Sequence, residues 1–272
     1  MKAASTTNSQ IKSLVSTGRA MFDMPVTDMV EQAIPYFLQL TQEDEARRMQ
    51  WLVDLSGDRH DPDDGLVEKN GEGTDDRKFF FHYRPHIEHI IHANGGNTVK
   101  YGKYISLLSE IYRQCEHTFQ GIIGGIDEAL PGYRLLEKYM KLKPGERGVL
   151  RLLFYKPGNR ILAKAHTDRN FGTLHIHESY PGLYLDDDKE CFKVERDKSL
   201  VFFGEKASIE TDGALKPSIH YVEATTSEWR WSVVYFAHIE CRLSQHEIEA
   251  IVKKKKTEFS YPNHGNETHC PR

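Results

Sequence analysis

Cysteine is scarce in this chain of 272 residues, which has only four: Cys115, Cys191, Cys241 and Cys270. They lie far apart, without CxxC or another zinc-binding spacing, which is typical of reduced and mostly buried thiols. The sequence also lacks any apolar run near the ~18 residues that cross a bilayer. Its polar start, MKAASTTNSQ, has no apolar signal-peptide core. We therefore expect a cytoplasmic protein with no membrane partner.

An excess of charge of one sign is missing as well. The 36 Lys and Arg residues nearly balance the 40 Asp and Glu residues, and the formal net charge is −4. A nucleic-acid-binding domain usually carries a basic surface, so we expect no nucleic-acid partner. The length fits one large domain with a helical extension. A monomer and a dimer are equally compatible with these features.

Helical patterns dominate the first half of the chain. Residues 1–20 are polar and predict a loosely ordered N-terminus. A helical region, 21–130, is expected to pack on the core. Within it, residues 28–53 have helical apolar spacing, with breaks expected at Pro35 and Thr41.

Two further segments of that region have distinct characters. Residues 54–77 are rich in Gly and Asp and predict a long surface loop, and KFFFHY (78–83) predicts a strand. Residues 98–129 predict one long amphipathic helix, which the glycines at 121, 124 and 125 are expected to end or bend.

Short β-branched and aromatic runs dominate after Pro131, and turn residues separate them. This pattern predicts a jelly-roll core over residues 131–243. Residues 244–272 predict a helix with Ser244 as its N-cap, followed by a tail, and the lysines at 253–256 are expected to be solvated. The predicted fold class is α+β: a double-stranded β-helix (jelly-roll, cupin-like) core with flanking N-terminal helices and a C-terminal helix.

An H-T-D triplet, His166 to Asp168, and a later lone histidine, His220, are the candidate metal ligands. Two imidazoles and one carboxylate form the facial triad that holds non-haem Fe(II) and leaves coordination positions open. On a strand, residues 166 and 168 point to the same face, so both can reach one metal. His220 would then reach the metal from a neighbouring strand.

The segment W-R-W-S that follows places Arg230 and Ser232 on one face of a strand. An arginine aimed into a barrel needs an anionic partner, because a buried unpaired charge is very costly. A small carboxylate that also chelates iron is one such partner. The alternative is a surface ion pair with an acidic neighbour such as Glu228.

Several blocks between Leu150 and Phe236 carry a family resemblance. LRLLFYKP resembles L-R-x-N-x-Y-x-P, and HTDRNFGTLHIHE resembles H-T-D-x-x-x-x-T-L-L-x-Q. SLVFFGEKASIETDGALKPSIHYV resembles the run from a G-D turn through T-N-G-x-x-K-S-x-x-H-R-V, and RWSVVYF resembles R-x-S-x-x-x-F. In this order, these blocks resemble the 2-oxoglutarate/Fe(II) oxygenases of the isopenicillin N synthase-like group.

The resemblance implies an oxygenase that oxidises a small metabolite with O2 and converts 2-oxoglutarate to succinate and CO2. Hydroxylation is the default outcome, and desaturation and cyclisation are the alternatives. Carried over by motif, the Fe(II) ligands would be His166, Asp168 and His220, and the groups that hold the distal carboxylate of 2-oxoglutarate would be Arg230, Ser232 and Tyr155.

Departures from the family pattern concern the cosubstrate pocket and the outcome of the reaction. The family's asparagine in N-x-Y is Leu153 here, the arginine after the third ligand is Tyr221, and the aspartate of G-D is Glu205. Related halogenases need a small residue at the position of Asp168, so this carboxylate argues against halogenation.

The candidate substrate contacts are polar residues near the triad motif. Arg169 and Lys164 flank the triad, and an acidic small molecule, such as an amino acid or a peptide-like acid, would suit them. Tyr83 on the upstream strand could line the opposite wall.

His175 and His177 are two further candidates for substrate contacts. They alternate with Leu174 and Ile176, which places both histidines on one face of a strand, either inward or outward.

Two other functions fit the same motifs. A cosubstrate-free oxidase like isopenicillin N synthase shares the triad and uses R-x-S on its own substrate. A jelly-roll module that binds metal without turnover would also keep the three ligands.

Overall fold

Helices and strands both occur in the first half of the chain, and strands dominate from Gly148 to Ala237. The computed structural model describes residues 7–53, 64–70, 77–97, 99–156, 161–185, 188, 190–224 and 228–258. The helices are α1 (Asn8–Thr17), α2 (Thr27–Gln42), α3 (Glu45–Met49), α4 (Ile87–Ala93), α5 (Gly102–Ala129), α6 (Leu135–Lys141), α7 (Glu205–Glu210) and α8 (Gln245–Glu258). The strands are β1 (Arg19–Asp23), β2 (Leu52–Val53), β3 (Asp64–Asn70), β4 (Arg77–Tyr83), β5 (Gly148–Tyr155), β6 (Ile161–His166), β7 (Gly172–Glu178), β8 (Leu183–Leu185), β9 (Lys198–Phe203), β10 (His220–Glu223) and β11 (Arg230–Ala237).

The strands form two antiparallel sheets. The main sheet has eight strands in the order β1-β9-β7-β11-β5-β4-β3-β2, and the small sheet has three in the order β6-β10-β8. Leu153 and Val234 of the main sheet pack in one cluster with Leu185 and Val222 of the small sheet. The two sheets therefore enclose a common space, called here the barrel interior, and the predicted α+β jelly-roll fold is confirmed.

The opposite face of the main sheet packs against helices. Val233 and Tyr235 of β11 belong to the large helix-side cluster, whereas Val234 belongs to the barrel interior. This alternation follows from the two-residue period of a strand. α5 covers the helix side, and its buried residues, among them Leu108 and Phe119, recur at helical spacing.

Of the stretch predicted to be loosely ordered, 1–20, residues 1–6 lie outside the described residues, and the rest forms α1 and the start of β1, so the prediction is wrong there. A capping box between Thr7 and Gln10 begins α1, which buries Ile11 and Leu14. β1 then pairs with β9 at the edge of the main sheet.

The region predicted to be helical, 21–130, also contributes strands to the core. β1 to β4 all belong to the main sheet, and β3 lies within the predicted loop 54–77. The rest of that predicted loop, 54–63 and 71–76, lies outside the described residues. The boundaries 131–243 and 244–272 stay a prediction.

Two expected helix breaks do not occur. α2 continues through Pro35 to Gln42, because its buried face, which includes Ile34 and Phe37, is anchored in the helix-side cluster. α5 continues through its three glycines to Ala129. Packing therefore outweighs local helix propensity at both places.

Cys115 and Cys241 are free thiols, as expected, but Cys191 is disulfide-bonded, contrary to the prediction of reduced cysteines. Among the helices that the structure describes, none is both long and apolar enough to cross a bilayer.

Candidate metal centre

His166, Asp168 and His220 meet where β6 ends and β10 begins. His166 is the last residue of β6 and pairs in register with His220, the first residue of β10. Their candidate ligand atoms all lie within 4.8 Å of one another. Oδ1 of Asp168 lies 3.7 Å from Nε2 of each histidine. The end of the barrel at which these residues lie is called here the mouth.

Both histidines are held with Nε2 directed towards this common point. Nδ1 of His166 lies 2.7 Å from the carbonyl oxygen of Lys164, and Nδ1 of His220 lies 3.3 Å from that of Ser218. Because a carbonyl can only accept a hydrogen bond, each Nδ1 must carry the proton. In the neutral ring, each Nε2 then has a free lone pair, which is the state that a metal requires.

Asp168 lies in the loop after β6 and not on the strand itself, as the two-residue spacing had suggested. The Oγ1 of Thr173 donates to Oδ2 of Asp168 at 2.5 Å, and the side-chain amide of Asn170 donates to Oγ1 of Thr173 at 2.9 Å. Burial alone would raise the pKa of Asp168, but nearby His220 and His166 and the bond from Thr173 bring it below its usual value. The carboxylate is therefore ionised at neutral pH.

This donor set fits Fe(II). Two imidazole nitrogens and one carboxylate oxygen on one side leave the other coordination positions open, which is the arrangement of non-haem iron oxygenases. Within the described part of the chain, this is the one group of three or more candidate ligands that lie close enough to share an ion.

A buried glutamate supports the loop between the ligands. Glu205, only 2% exposed, accepts a hydrogen bond of 2.7 Å from Oγ1 of Thr167. Nζ of Lys255 in α8 donates to both of its carboxylate oxygens, at 2.9 and 2.8 Å. The backbone N–H of Glu205 also donates to the carbonyl of Asp168 at 2.8 Å. Lys255 is therefore an ion-pair partner and not only a solvated lysine.

Arg230 is buried in the barrel interior, with a side chain only 2% exposed. Its Nη2 forms an ion pair with Glu178, and its Nε donates to the carbonyl of Tyr180 at 3.2 Å. Its guanidinium carbon lies 5.7 Å from the centre of the Tyr155 ring. The alternative of a surface pair with Glu228 is therefore wrong.

One nitrogen of Arg230 remains available. Among the described residues, Nη1 of Arg230 and Oε1 of Glu178 are buried and have no hydrogen-bond partner. Ser232, also 2% exposed, follows on the same face of β11. A buried donor without a partner is costly, so this place fits the distal carboxylate of 2-oxoglutarate.

His175 and His177 face opposite sides of the main sheet, contrary to the prediction that they share a face. The register of β7 against β11 shifts here: Val233 pairs with His177 but Val234 pairs with His175, so Ile176 is the extra residue of a bulge. His175 then points into the barrel, with Nε2 3.2 Å from Glu178. His177 lies on the helix side, 3.6 Å from Glu31 of α2.

The other predicted substrate contacts lie outside the barrel interior. Tyr83 is buried in the helix-side cluster, with its ring 6.0 Å from that of Tyr112, and so faces away from the barrel interior. Arg169 is paired at 2.5 Å with Glu249 of α8 and is about half exposed. Lys164 is exposed on β6.

Arg151 of β5 is the cationic residue that sequence reasoning missed. Its Nε lies 2.6 Å from Nε2 of His82, and its guanidinium carbon lies 4.5 Å and 5.3 Å from the ring centres of Phe236 and Phe80. It also helps to lower the pKa of Asp168. Its position on the same strand face as Tyr155 was a signal that could have identified it.

The fold is similar to those of solved oxygenase structures. DAO1 of Arabidopsis thaliana, a dioxygenase for auxin oxidation solved with 2-oxoglutarate, has a TM-score of 0.68 at 13% identity over 87% of this chain and 89% of its own. Neurospora crassa T7H, solved with alpha-KG, has a TM-score of 0.64 at 14% identity over 85% and 77%. JOX2, solved with 2OG, Fe and JA, has a TM-score of 0.63 at 13% identity over 84% and 70%.

No protein-family model and no curated protein sequence matches this chain. At such low identities, the structural likeness establishes the fold of these oxygenases.

Proposed function

We propose that this chain is a non-haem, Fe(II)- and 2-oxoglutarate-dependent dioxygenase that oxidises a small carboxylic acid. The observation that carries the proposal is the combination, in one barrel, of the His166–Asp168–His220 group and a buried Arg230 whose Nη1 lacks a partner among the described residues. Arg230 lies near the far end of β10, because a side chain at Gly182 would touch both Arg230 and the backbone of Glu223. Glu223 lies three residues after His220 on β10, or about 10 Å along the strand, and such an interval suits a short dicarboxylate.

The chemistry that iron and 2-oxoglutarate supply together is O2 activation, which oxidises a substrate C–H bond while the cosubstrate becomes succinate and CO2. The residues of the chain would hold the metal, orient its ligands and keep water out of the site. His166 and His220 present Nε2, and Thr173 directs one carboxylate oxygen of Asp168 away from the two imidazoles. Phe202 adds an apolar wall, with its ring centre 5.0 Å from that of His220.

The position of Arg151 supports the proposal that the substrate is an acid. Its guanidinium lies near the rings of Phe80 and Phe236 and contacts His82 on the inner face of β5, within electrostatic range of Asp168. A planar guanidinium fits a carboxylate well, and the surrounding rings fit an apolar body. We expect hydroxylation as the default outcome, in the cytoplasm and without a nucleic-acid partner.

The test is an anaerobic titration of the Fe(II)-loaded protein with 2-oxoglutarate. We expect a metal-to-ligand charge-transfer band and, after admission of O2, succinate release that increases with the right acid in a screen of small carboxylic acids. His220→Ala should abolish the band, whereas His246→Ala, an exposed histidine of α8, should retain it. Absence of both band and succinate in the folded wild-type protein would contradict the proposal.

The two other functions predict different results. A cosubstrate-free oxidase would bind Fe(II) and consume O2 without succinate, and Arg230 would then hold its substrate. A metal-binding module without turnover would show no O2 consumption that depends on His220.

A further inference from the structure

Three side chains in the barrel interior form one buried charged cluster. The side chains of Arg230, Glu178 and His175 are only 2%, 4% and 5% exposed. Both Arg230 and His175 contact the same oxygen of Glu178, Oε2, the latter at 3.2 Å. The bulge at Ile176 makes this possible, because it returns Glu178 to the face that His175 occupies.

Glu178 neutralises the arginine that the proposed function assigns to the cosubstrate. Burial would raise the pKa of Glu178, but the nearby His175 and Arg230 bring it below its usual value. The carboxylate is therefore ionised at neutral pH. The charges of Arg230 and Glu178 therefore cancel.

Among the residues that the structure describes, no second cation contacts Glu178 besides Arg230 and its neighbour His175. Tyr155 of β5 presents a ring to Arg230, and His177 lies on the helix side of the sheet beside Glu31. Glu223 ends β10 in the facing sheet and is itself buried, with 6% exposure. An added carboxylate would thus leave the pocket with an uncompensated negative charge, which is costly in a dry interior.

We propose that the distal carboxylate of the cosubstrate enters this pocket together with one proton, which the His175–Glu178 pair takes up. The proton goes to Nδ1 of His175 or to Glu178. The positive charges of Arg230 and of the added proton then balance the negative charges of Glu178 and of the cosubstrate carboxylate. Because the two groups are in contact, the proton belongs to the pair and not to one residue. Glu178 is then the residue that determines cosubstrate affinity and its pH dependence. The inference rests on the proposed use of 2-oxoglutarate.

The test is calorimetry of 2-oxoglutarate binding to the Mn(II)-saturated protein, between pH 6 and 9 and in buffers of different ionisation enthalpy. We expect uptake of up to one proton per 2-oxoglutarate and, where the free pair is unprotonated, a Kd that rises by up to about tenfold per pH unit. Glu178→Gln should bind more tightly, without proton uptake and with little pH dependence. Glu228→Gln, an exposed glutamate near Tyr180, is the matched control and should behave as wild type.

A second variant guards against a folding defect in Glu178→Gln. His175→Gln keeps the Arg230–Glu178 pair but removes the imidazole, so we expect weaker binding and reduced proton uptake. Binding by wild type with no proton uptake and a flat pH profile overturns the inference while leaving 2-oxoglutarate dependence intact. Equal uptake in wild type and both variants overturns it as well. If metal binds but 2-oxoglutarate does not bind at any pH, the proposed function fails and the inference fails with it.

Discussion

Thr173 on β7 donates a hydrogen bond of 2.5 Å to Oδ2 of Asp168, which leaves Oδ1 facing Nε2 of both candidate histidine ligands at 3.7 Å. Asn170 in turn donates to Oγ1 of Thr173. A residue of the main sheet thus orients a ligand that lies in a loop, and the metal centre depends on both sheets.

Replacing Thr173 by Val should weaken metal binding, because the hydrogen bond that orients Asp168 is lost while the volume is kept. Loss of such an outer contact typically reduces metal affinity by about 10–100-fold. Competition titration with Fe(II) or Mn(II) measures the effect. Thr173→Ser keeps the hydroxyl and should stay within a few-fold of wild type; equal affinities for the Val variant and wild type would refute the role of Thr173.

Replacing Arg151 by Gln should raise KM for an acidic substrate. Loss of a hydrogen bond to a charged group costs about 1.5–3 kcal/mol, which corresponds to roughly a 10–100-fold change. Steady-state kinetics should show this increase with little change in the Kd for 2-oxoglutarate. Arg169→Gln is the matched control, since Arg169 is paired with Glu249 at the surface. If Arg169→Gln raised KM more than Arg151→Gln, Arg169 and not Arg151 would be the residue that binds the substrate.

Replacing Lys255 by Met should destabilise the protein by about 1–2 kcal/mol, between the values for exposed and buried ion pairs. The reason is that Glu205 is buried while Lys255 is 37% exposed in its side chain. Metal affinity should also fall, because Glu205 holds Thr167 between two candidate ligands. Urea unfolding and metal titration measure the two effects. Lys253→Met, at an exposed position on the same helix, should change neither.

Glu43 should make the stability depend on pH in the acid range. Hydrogen bonds from Lys100, Arg47 and Tyr101 lower its pKa from 4.5 to about 2. Because the folded pKa is depressed, the stabilisation is complete above pH 4.5 and is lost as pH falls towards 2.

Glu43→Gln should therefore lower the free energy of unfolding at pH 7 by about 1 kcal/mol, a value reduced by the exposure of Lys100 and Arg47. The difference from wild type should disappear near pH 2. Chemical denaturation at several pH values measures it, with Glu45→Gln as an exposed control. A difference that stays constant down to pH 2 would exclude the charge as its cause.

The local sequence was sufficient where a contact depends on a strand's own period or on a helix end. The alternation in β11 correctly placed Arg230 and Ser232 on one buried face. Ser244 and Glu247 form the expected N-terminal cap of α8, with the backbone N–H of Glu247 donating to Oγ of Ser244 at 3.3 Å. Such features involve neighbours within four residues, so the sequence contains all that they need.

Features that depend on two distant segments were decided only by the tertiary structure. His175 and His177 separated because β7 bulges against β11, and a register shift is not visible in one strand alone. Tyr83 faces the helices and Arg151 faces the barrel because α5 covers one side of the main sheet and the small sheet covers the other. The local period tells which residues share a face, but the packing of the layers decides which face it is.

The sequence by itself thus determined which residues share a strand face and which residues are the candidate metal ligands, through the strand periods and the H-T-D motif with its later histidine. The tertiary structure decided that the two histidines and Asp168 lie within 4.8 Å of one another, and that Glu178 is the partner of Arg230. The reason is physical: a buried charge needs a partner in space, and folding alone brings that partner near.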